Sequence, residues 1–139
     1  MRITLESDYA LRILSALAEH KDRVDAKTLS DEISVTQRFT LKILHKLVSA
    51  GYVKSYKGVR GGYLLNISPE NITLKSVIEL IDGPIAISRC LEKSEACSMN
   101  PDKTSCIYHH IFDTISLDVA RKLAGITIAD VLSKNFTVK

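Results

Sequence analysis

Three cysteines close together in the sequence are the residues best suited to chemistry. Cys90, Cys97 and Cys106 follow the spacing C-x6-C-x8-C, and Cys106 comes at the start of a long helical pattern. Backbone N–H groups at a helix start favour the thiolate, which is the form of cysteine that binds metal. The three thiols are candidate ligands for an iron–sulfur cluster or for zinc, and buried or merely reactive thiols are the alternative.

A metal centre built on these thiols needs a fourth ligand from elsewhere in the protein. His109 lies three residues after Cys106, on the same helical face, whereas His110 lies off that face. Asp8 is a second candidate if the first helix packs over the cysteine loop, either in one chain or from a partner subunit. The spacing leaves His109 and Asp8 both open.

Positive charge is concentrated in one part of the chain. The net charge is +3, from 19 Lys and Arg against 16 Asp and Glu. Residues 34–67 contain six cations and no carboxylate, so this basic stretch carries +6 and the remainder carries −3. Such a distribution is typical of a protein that binds a polyanion. The six cations are Arg38, Lys42, Lys46, Lys54, Lys57 and Arg60.

The elements that hold this charge follow a familiar order. Helical spacing predicts helices over 7–20, 26–33 and about 36–50, with Asp25 capping the second and Ser34 or Thr36 capping the third. Two β-patterned runs, 52–56 and 63–67, then flank the glycine-rich turn KGVRGG. Three helices followed by a hairpin predict a winged helix-turn-helix. The expected apolar face of the third helix is Phe39, Ile43, Leu44, Leu47 and Val48.

In such a fold the third helix enters the major groove of DNA, which is about 12 Å wide. Arg38 can form hydrogen bonds with guanine and Gln37 with adenine, whereas Leu41 can make only apolar contacts, for instance with a thymine methyl. Cations on the wing suit the minor groove or its phosphates. The predicted DNA-binding residues are Thr36, Gln37, Arg38, Leu41, Lys42, Lys46, Lys57 and Arg60.

The C-terminal half has a different pattern. A fourth helix is predicted over 74–81, an irregular segment over 85–105, a long helix over about 105–124 and a short last helix over 127–132. The long helix carries an apolar stripe of Ile107, Ile111, Ile115 and Val119. We therefore expect a mainly α-helical fold with one small β-hairpin.

Several classes of protein are disfavoured by the sequence. No apolar run reaches the roughly 18 residues that cross a bilayer, and the start MRITLESDYALRIL lacks the features of a signal peptide, so we expect a cytoplasmic protein without a membrane partner. Cys-x-x-Cys, a phosphate-binding glycine loop and a Ser/His/Asp signature are all missing. The chain is therefore not expected to be an enzyme or to have a small-molecule substrate.

Five segments together resemble the Rrf-two family of bacterial winged-helix regulators. They are MRITLESDYALRIL, LKILHKLVSAGYV, KGVRGGYLL, ITLKSVIELIDGP and the cysteine loop, and the resemblance that they carry extends over nearly the whole chain. The resemblance implies a homodimeric transcription factor that binds an operator in double-stranded DNA. It also implies three units: a winged helix-turn-helix domain over 1–82, a cluster-binding loop over 83–105, and a dimerisation helix with its tail over 106–139.

The resemblance further implies a 2Fe–2S or 4Fe–4S cluster held by the three cysteines. The IscR-like pattern places a His three residues after the last Cys, which matches His109; the NsrR-like pattern uses an Asp of the other subunit's first helix, which matches Asp8. Operator binding would respond to nitric oxide, redox state or cluster supply. A thiol switch or structural zinc is the alternative. Two departures are Leu41, where IscR-like members carry Glu, and the longer gaps between the cysteines.

Overall fold

The structure, a computed structural model, describes residues 1–93, 95, 97–99 and 102–134. These residues form six α-helices and one two-stranded antiparallel sheet, which confirms the mainly helical fold class with a β-hairpin wing. Short 3-10 turns lie at 69–71, 89–91 and 103–105. The elements are α1 Leu5–Glu19, α2 Ala26–Ile33, α3 Gln37–Ser49, β1 Val53–Tyr56, β2 Gly62–Leu65, α4 Leu74–Asp82, α5 Ile107–Ala124 and α6 Ile128–Ser133.

The first helix lies at the centre of the hydrophobic core. Ala10, Ile13 and Leu14 of α1 are completely buried, and α1 contacts α2, α3, α4 and α6. Thr4 caps the helix, because its side-chain oxygen accepts a hydrogen bond from the backbone N–H of Ser7. The apolar face of α1 therefore sets the positions of these four helices.

Side-chain caps explain where α2 and α3 begin. Asp25 accepts a 2.8 Å hydrogen bond from the backbone N–H of Thr28 and starts α2, as the sequence predicts. Thr36 starts α3 by accepting from the backbone N–H of Phe39. Ser34 instead ends α2 in the left-handed conformation, with φ of 57°. Of the two caps considered for α3, Thr36 is therefore the one in use.

One residue expected on the apolar face of α3 lies elsewhere. Phe39 is 47% exposed, and its ring meets the edge of Tyr9 at a centroid distance of 6.4 Å. Thr40 is completely buried in the same turn, because its hydroxyl donates a 3.0 Å hydrogen bond to the carbonyl of Thr36. The expectation for Phe39 was wrong, since the satisfied hydroxyl of Thr40 takes the inward position.

The wing is attached through β2 to the connection between α1 and α2. β1 and β2 pair in a register that runs from Val53 opposite Leu65 to Tyr56 opposite Gly62. Val24 and Tyr63 exchange two further backbone hydrogen bonds of 3.0 and 2.8 Å. The β2 strand begins at Gly62 and ends at Leu65, slightly earlier than its sequence pattern predicts.

The chain returns to the N-terminal core after α5. The backbone N–H of Leu74 donates to the carbonyl of Ile126, and that of Ile128 donates to the carbonyl of Ile72. Ile128 is completely buried in the same core as α1. The division into units at residues 82 and 105 stays a prediction, and residues 135–139 of the last unit lie outside the described part. Within that part, no helix is both long and apolar enough to span a membrane.

Gly62, which lies opposite Tyr56 at the turn end of the hairpin, is constrained by both its backbone conformation and its neighbours. Its φ is +140°, and a Cβ there would lie 2.8 Å from the backbone carbonyl oxygen of Val24. Gly58 has a φ of +93°, but a Cβ there would meet open space. We expect Gly62→Ala to lower the free energy of unfolding by about 3 kcal/mol and Gly58→Ala by about 1 kcal/mol, measured by urea denaturation. Equal losses would contradict a constraint from Val24.

Candidate nucleic-acid interface and cysteine cleft

The first turns of α3 present polar and apolar groups to solvent. Gln37, Arg38 and Leu41 are all exposed, and their side chains are the ones that sequence reasoning assigned to base edges. Thr36 lies at the same end, where its side-chain oxygen serves as the helix cap. The start of α3 therefore offers an accessible guanidinium, an amide and an isobutyl group, which is a set able to read the major groove.

Further along α3, two lysines are paired with a carboxylate from another helix. The Nζ of Lys42 lies 2.5 Å from Oε1 of Glu6, and the Nζ of Lys46 lies 2.7 Å from Oε2 of the same residue. Glu6 belongs to the first turn of α1. The basic stretch contains no acid in sequence, but the fold brings one to it. Sequence reasoning missed Glu6 because this contact depends on how α1 packs against α3.

The two lysines hold Glu6 in its ionised form. Hydrogen bonds from Lys42 and then Lys46 lower the pKa of Glu6 from 4.5 to about 2. Because the pKa is depressed in the folded state, the stabilisation is present above about pH 4.5 and is lost as the pH falls toward 2. At neutral pH, Glu6 is therefore an ionised carboxylate between Lys42 and Lys46.

The tip of the wing is exposed and carries two cations. Lys57, Val59 and Arg60 all face solvent, and the backbone N–H of Gly61 donates to the carbonyl of Gly58 to close the turn. The wing cations are thus accessible to a ligand in this chain.

A third cation supports the wing from the side. The guanidinium of Arg23 lies 3.6 Å from the centroid of the Tyr56 ring and donates a 3.2 Å hydrogen bond to the carbonyl of Arg60. Arg23 therefore holds the wing tip at two points, the ring of Tyr56 on β1 and the carbonyl of Arg60 in the turn. Sequence reasoning missed Arg23, because it precedes the basic stretch and its partners lie more than thirty residues away.

The three cysteines and His109 share one cleft. Cys90, Cys97, Cys106 and His109 line a cavity of about 630 Å³ beside the start of α5. All three cysteines are free thiols and are partly buried. The remaining walls are mostly apolar, with one cation: Met99, Lys103, Ile107, Tyr108 and Phe112. This donor set of soft thiolates with one imidazole suits iron–sulfur clusters and zinc.

The imidazole of His109 has an unused nitrogen inside the protein. Its Nδ1 is buried and has no hydrogen-bond partner among the described residues. Burying such an atom without a partner is costly, so a ligand on Nδ1 would relieve the cost. His110, in contrast, binds the carbonyl of Thr104. In the described part of the chain, no three His, Cys, Asp or Glu side chains converge closely enough to hold one metal ion.

Asp8 is not brought to the cysteine cleft of its own chain. Its carboxylate pairs with the guanidinium of Arg12 at 2.6 Å, one turn along α1. Asp8 lines a different cavity, together with Leu11 and Arg12. Of the two candidates for a fourth ligand, His109 is therefore the one that shares a cavity with the thiols within one chain.

An apolar stripe on α5 is exposed to solvent. Ile107, Ile111 and Ile115 recur every four residues and are 66%, 45% and 44% exposed, with Tyr108 beside them. Another side of α5 packs on α4, and there the buried hydroxyl of Ser116 accepts a 3.0 Å hydrogen bond from the backbone N–H of Ile87. These three residues belong to the stripe that the sequence pattern predicts, whereas Val119, its fourth member, is half-buried.

Comparisons with known proteins agree with this architecture. The Rrf2 family model, described as "Iron-dependent Transcriptional regulator", matches residues 3–134. A putative HTH-type transcriptional regulator of Aquifex aeolicus is 32% identical over 126 residues, which are 90% of this chain and 87% of that protein. The regulator NsrR of Bacillus subtilis is 25% identical over 135 residues, which are 95% and 90% of the two chains.

A solved structure supports the same conclusion. CymR, the global cysteine regulator of Bacillus subtilis, superposes with a TM-score of 0.73 at 26% identity and covers 96% of this chain and 98% of its own. The Aquifex and NsrR relatives are named as transcriptional regulators and CymR as a regulator, which agrees with the expectation that the chain is not an enzyme. The chain belongs to the Rrf2 (Rrf-two) family of winged helix-turn-helix transcriptional regulators.

Proposed function

We propose that this regulator is a homodimer whose binding to a DNA operator in the cytoplasm is gated by an iron–sulfur cluster. The observation that carries the proposal is that Cys90, Cys97, Cys106 and His109 line one cleft. The Nδ1 of His109 is buried there without a partner, which supports His109 as the fourth ligand. Asp8 would be the ligand if it came from a partner subunit.

The DNA-binding surface consists of the exposed start of α3 and the wing. Arg38 and Gln37 would contact base edges, because each can make two hydrogen bonds to one base. Lys42 and Lys46 would contact phosphates, and Lys57 and Arg60 would contact the minor groove or its phosphates. Exposure of these side chains and of the wing tip supports this assignment.

The cleft has the chemical properties that an iron–sulfur cluster requires. Thiolates of the three cysteines would hold it, apolar walls would limit the access of water, and the cation of Lys103 would offset part of its negative charge. A bound cluster supplies chemistry that is sensitive to redox state and nitric oxide.

The apolar stripe of α5 supports the homodimer. Ile107, Ile111 and Ile115 are exposed along two turns of one helix, and burying such a stripe against a second copy would remove apolar surface from water. The cysteine cleft includes Ile107 and Tyr108 at the start of the same helix. The state of the cleft and the position of the dimer helix would therefore be linked.

This link would make DNA binding sensitive to the state of the cleft. A dimer must match two half-sites about one helical turn apart, so a small change in the spacing of the two α3 helices weakens several contacts together. Coupling of about 1–3 kcal/mol, which is usual for allosteric proteins, would change operator affinity by about 5–150-fold.

A thiol switch or structural zinc is the alternative within the same DNA-binding regulator. The three thiols are free and accessible to reagents through the cleft, and the structural relative CymR is described as a global cysteine regulator. Zinc with three cysteines and one histidine is also a common structural site. The metal content of the purified protein separates these alternatives from the cluster.

The DNA contacts are tested on a duplex selected by the wild-type protein from a random library. We expect Arg38→Ala to cost about 1–3 kcal/mol of binding and to relax the base preference at one position. Lys57→Ala should weaken binding to all sequences nearly equally and reduce the salt slope by about one.

With about eight phosphates contacted, wild-type affinity should fall about 10³–10⁵-fold between about 50 and 200 mM salt. A flat salt response would contradict the phosphate contacts.

The cluster is tested on protein purified without oxygen. We expect brown protein that contains iron and sulfide, and loss of both in Cys97→Ser. His109→Ala should also lose the cluster, whereas the matched variant His110→Ala should keep it, because His110 binds the carbonyl of Thr104 instead. Asp8→Ala separates the two candidate ligands, since it should keep the cluster if His109 is the ligand.

Two results would contradict the cluster proposal. Colourless protein that contains stoichiometric zinc would show that the site holds zinc and not a cluster. Equal operator affinities of the cluster-loaded and cluster-free proteins would exclude gating, even if iron and sulfide are present.

The dimer is tested by placing a charge on the apolar stripe of α5. We expect Ile111→Asp to sediment as a monomer at micromolar concentration, because a buried unpaired carboxylate opposes association. Leu117→Asp is the matched control, since Leu117 is similarly exposed but lies about 200° around the helix axis from Ile115. A dimer of Ile111→Asp, or a monomer of Leu117→Asp alone, would show that the stripe is not the interface.

A further inference from the structure

The cations of the basic stretch differ in whether they are paired. Among the described residues, ion pairs of the six cations involve only Lys42 and Lys46, and both are made with Glu6. Each carboxylate oxygen of Glu6 binds one lysine. Arg38, one turn before Lys42, has no ion pair in the described part of the chain, so the cation at the start of α3 is available to bases.

The geometry of Lys42, Glu6 and Lys46 makes Glu6 the link between the lysines. Lys42 and Lys46 lie four residues apart on α3, where two like charges repel. The carboxylate between them reduces this repulsion and lowers the net charge of the three groups to +1. Glu6 itself comes from α1, whose buried face fixes its position relative to α3. The pairs are therefore held by two packed helices rather than by one flexible segment.

We propose that Glu6 is a specificity-determining residue, which restrains Lys42 and Lys46 and thereby lowers the affinity for DNA that lacks the operator sequence. This inference rests on the proposed function in one respect, the use of the exposed face of α3 as the DNA-reading surface. It goes beyond that function by giving a role to an acidic residue that does not read DNA.

The physical basis lies in how sequence-independent binding arises. Such binding comes from Lys and Arg contacts with phosphates and the accompanying release of counterions. A lysine with a free four-carbon stem reaches phosphates in many registers of the duplex. Lys42 and Lys46, held by Glu6, reach fewer of them, so most non-operator registers require the ion pairs to break.

The ion pairs with Glu6 weaken binding to the operator sequence less than they weaken binding to other DNA. An ammonium group has three donors, and each lysine uses one of them on Glu6. The other donors remain for a phosphate that lies directly in front of the pair. When contacts from Arg38 and Gln37 place α3 in its operator register, the lysines can therefore bind phosphate without leaving Glu6.

The experiment compares Glu6→Gln with wild type on two duplexes of equal length. One duplex is selected by the wild-type protein from a random library, and the other has the same bases in scrambled order. We expect affinity for the scrambled duplex to rise roughly tenfold at about 50 mM salt, and its salt slope to steepen by about two to four for a dimer. Affinity for the selected duplex should change by less than about twofold.

Two controls isolate the role of Glu6. Glu19→Gln removes the same charge from the other end of α1, where Glu19 forms no ion pair among the described residues, and it should leave both affinities unchanged. In a Lys42→Ala, Lys46→Ala background, Glu6→Gln should have no further effect, because its partners are gone. Thermal unfolding of each variant checks that the fold is retained.

The outcomes separate this inference from the proposed DNA interface. If the wild type selects a sequence but Glu6→Gln raises both affinities equally, or leaves the scrambled duplex unchanged, the role of Glu6 is excluded and the interface stands. If an effect of Glu6→Gln persists without the two lysines, the role is likewise excluded. If the wild type selects no sequence, both fail.

Discussion

Burial of the apolar face of α1 is the constraint on which the rest of the structure depends. Ala10, Ile13 and Leu14 are inaccessible to water and pack against four other helices, so α1 cannot rotate without opening the core. The same orientation places its first turn beside α3, which is why Glu6 meets the two lysines there. A hydrophobic interaction thus fixes the electrostatics of the candidate DNA surface.

Much of the fold follows from short-range signals in the sequence. The caps Asp25 and Thr36, the 3.6-residue apolar spacing and the glycine-rich turn predict the helices and the hairpin to within a few residues. Phe39 was misplaced because apolar spacing does not show that Thr40 satisfies its own hydroxyl on the Thr36 carbonyl and can therefore be buried. Local patterns locate elements better than they locate the edge of a core.

The sequence predicts which residues form the candidate sites, but it does not predict which other residues contact them. Cysteine spacing and the resemblance to a known family pointed to Cys90, Cys97 and Cys106, with His109 and Asp8 as rival ligands. The packed chain distinguishes the rivals only within one protomer, where His109 lines the thiol cleft while Asp8 pairs with Arg12. Glu6 and Arg23 escaped prediction for a related reason: each acts on residues more than thirty positions away.

The return of the chain to the core after α5 has a mechanical consequence. The dimer helix proposed here is anchored near its middle by Ser116 and just beyond its end by the hydrogen bonds of Ile126 and Ile128 with residues 72–74. A rod held at two separated points can tilt only together with its supports. A change at the first turn of α5 would therefore act through leverage on α4, which packs against both α5 and α1.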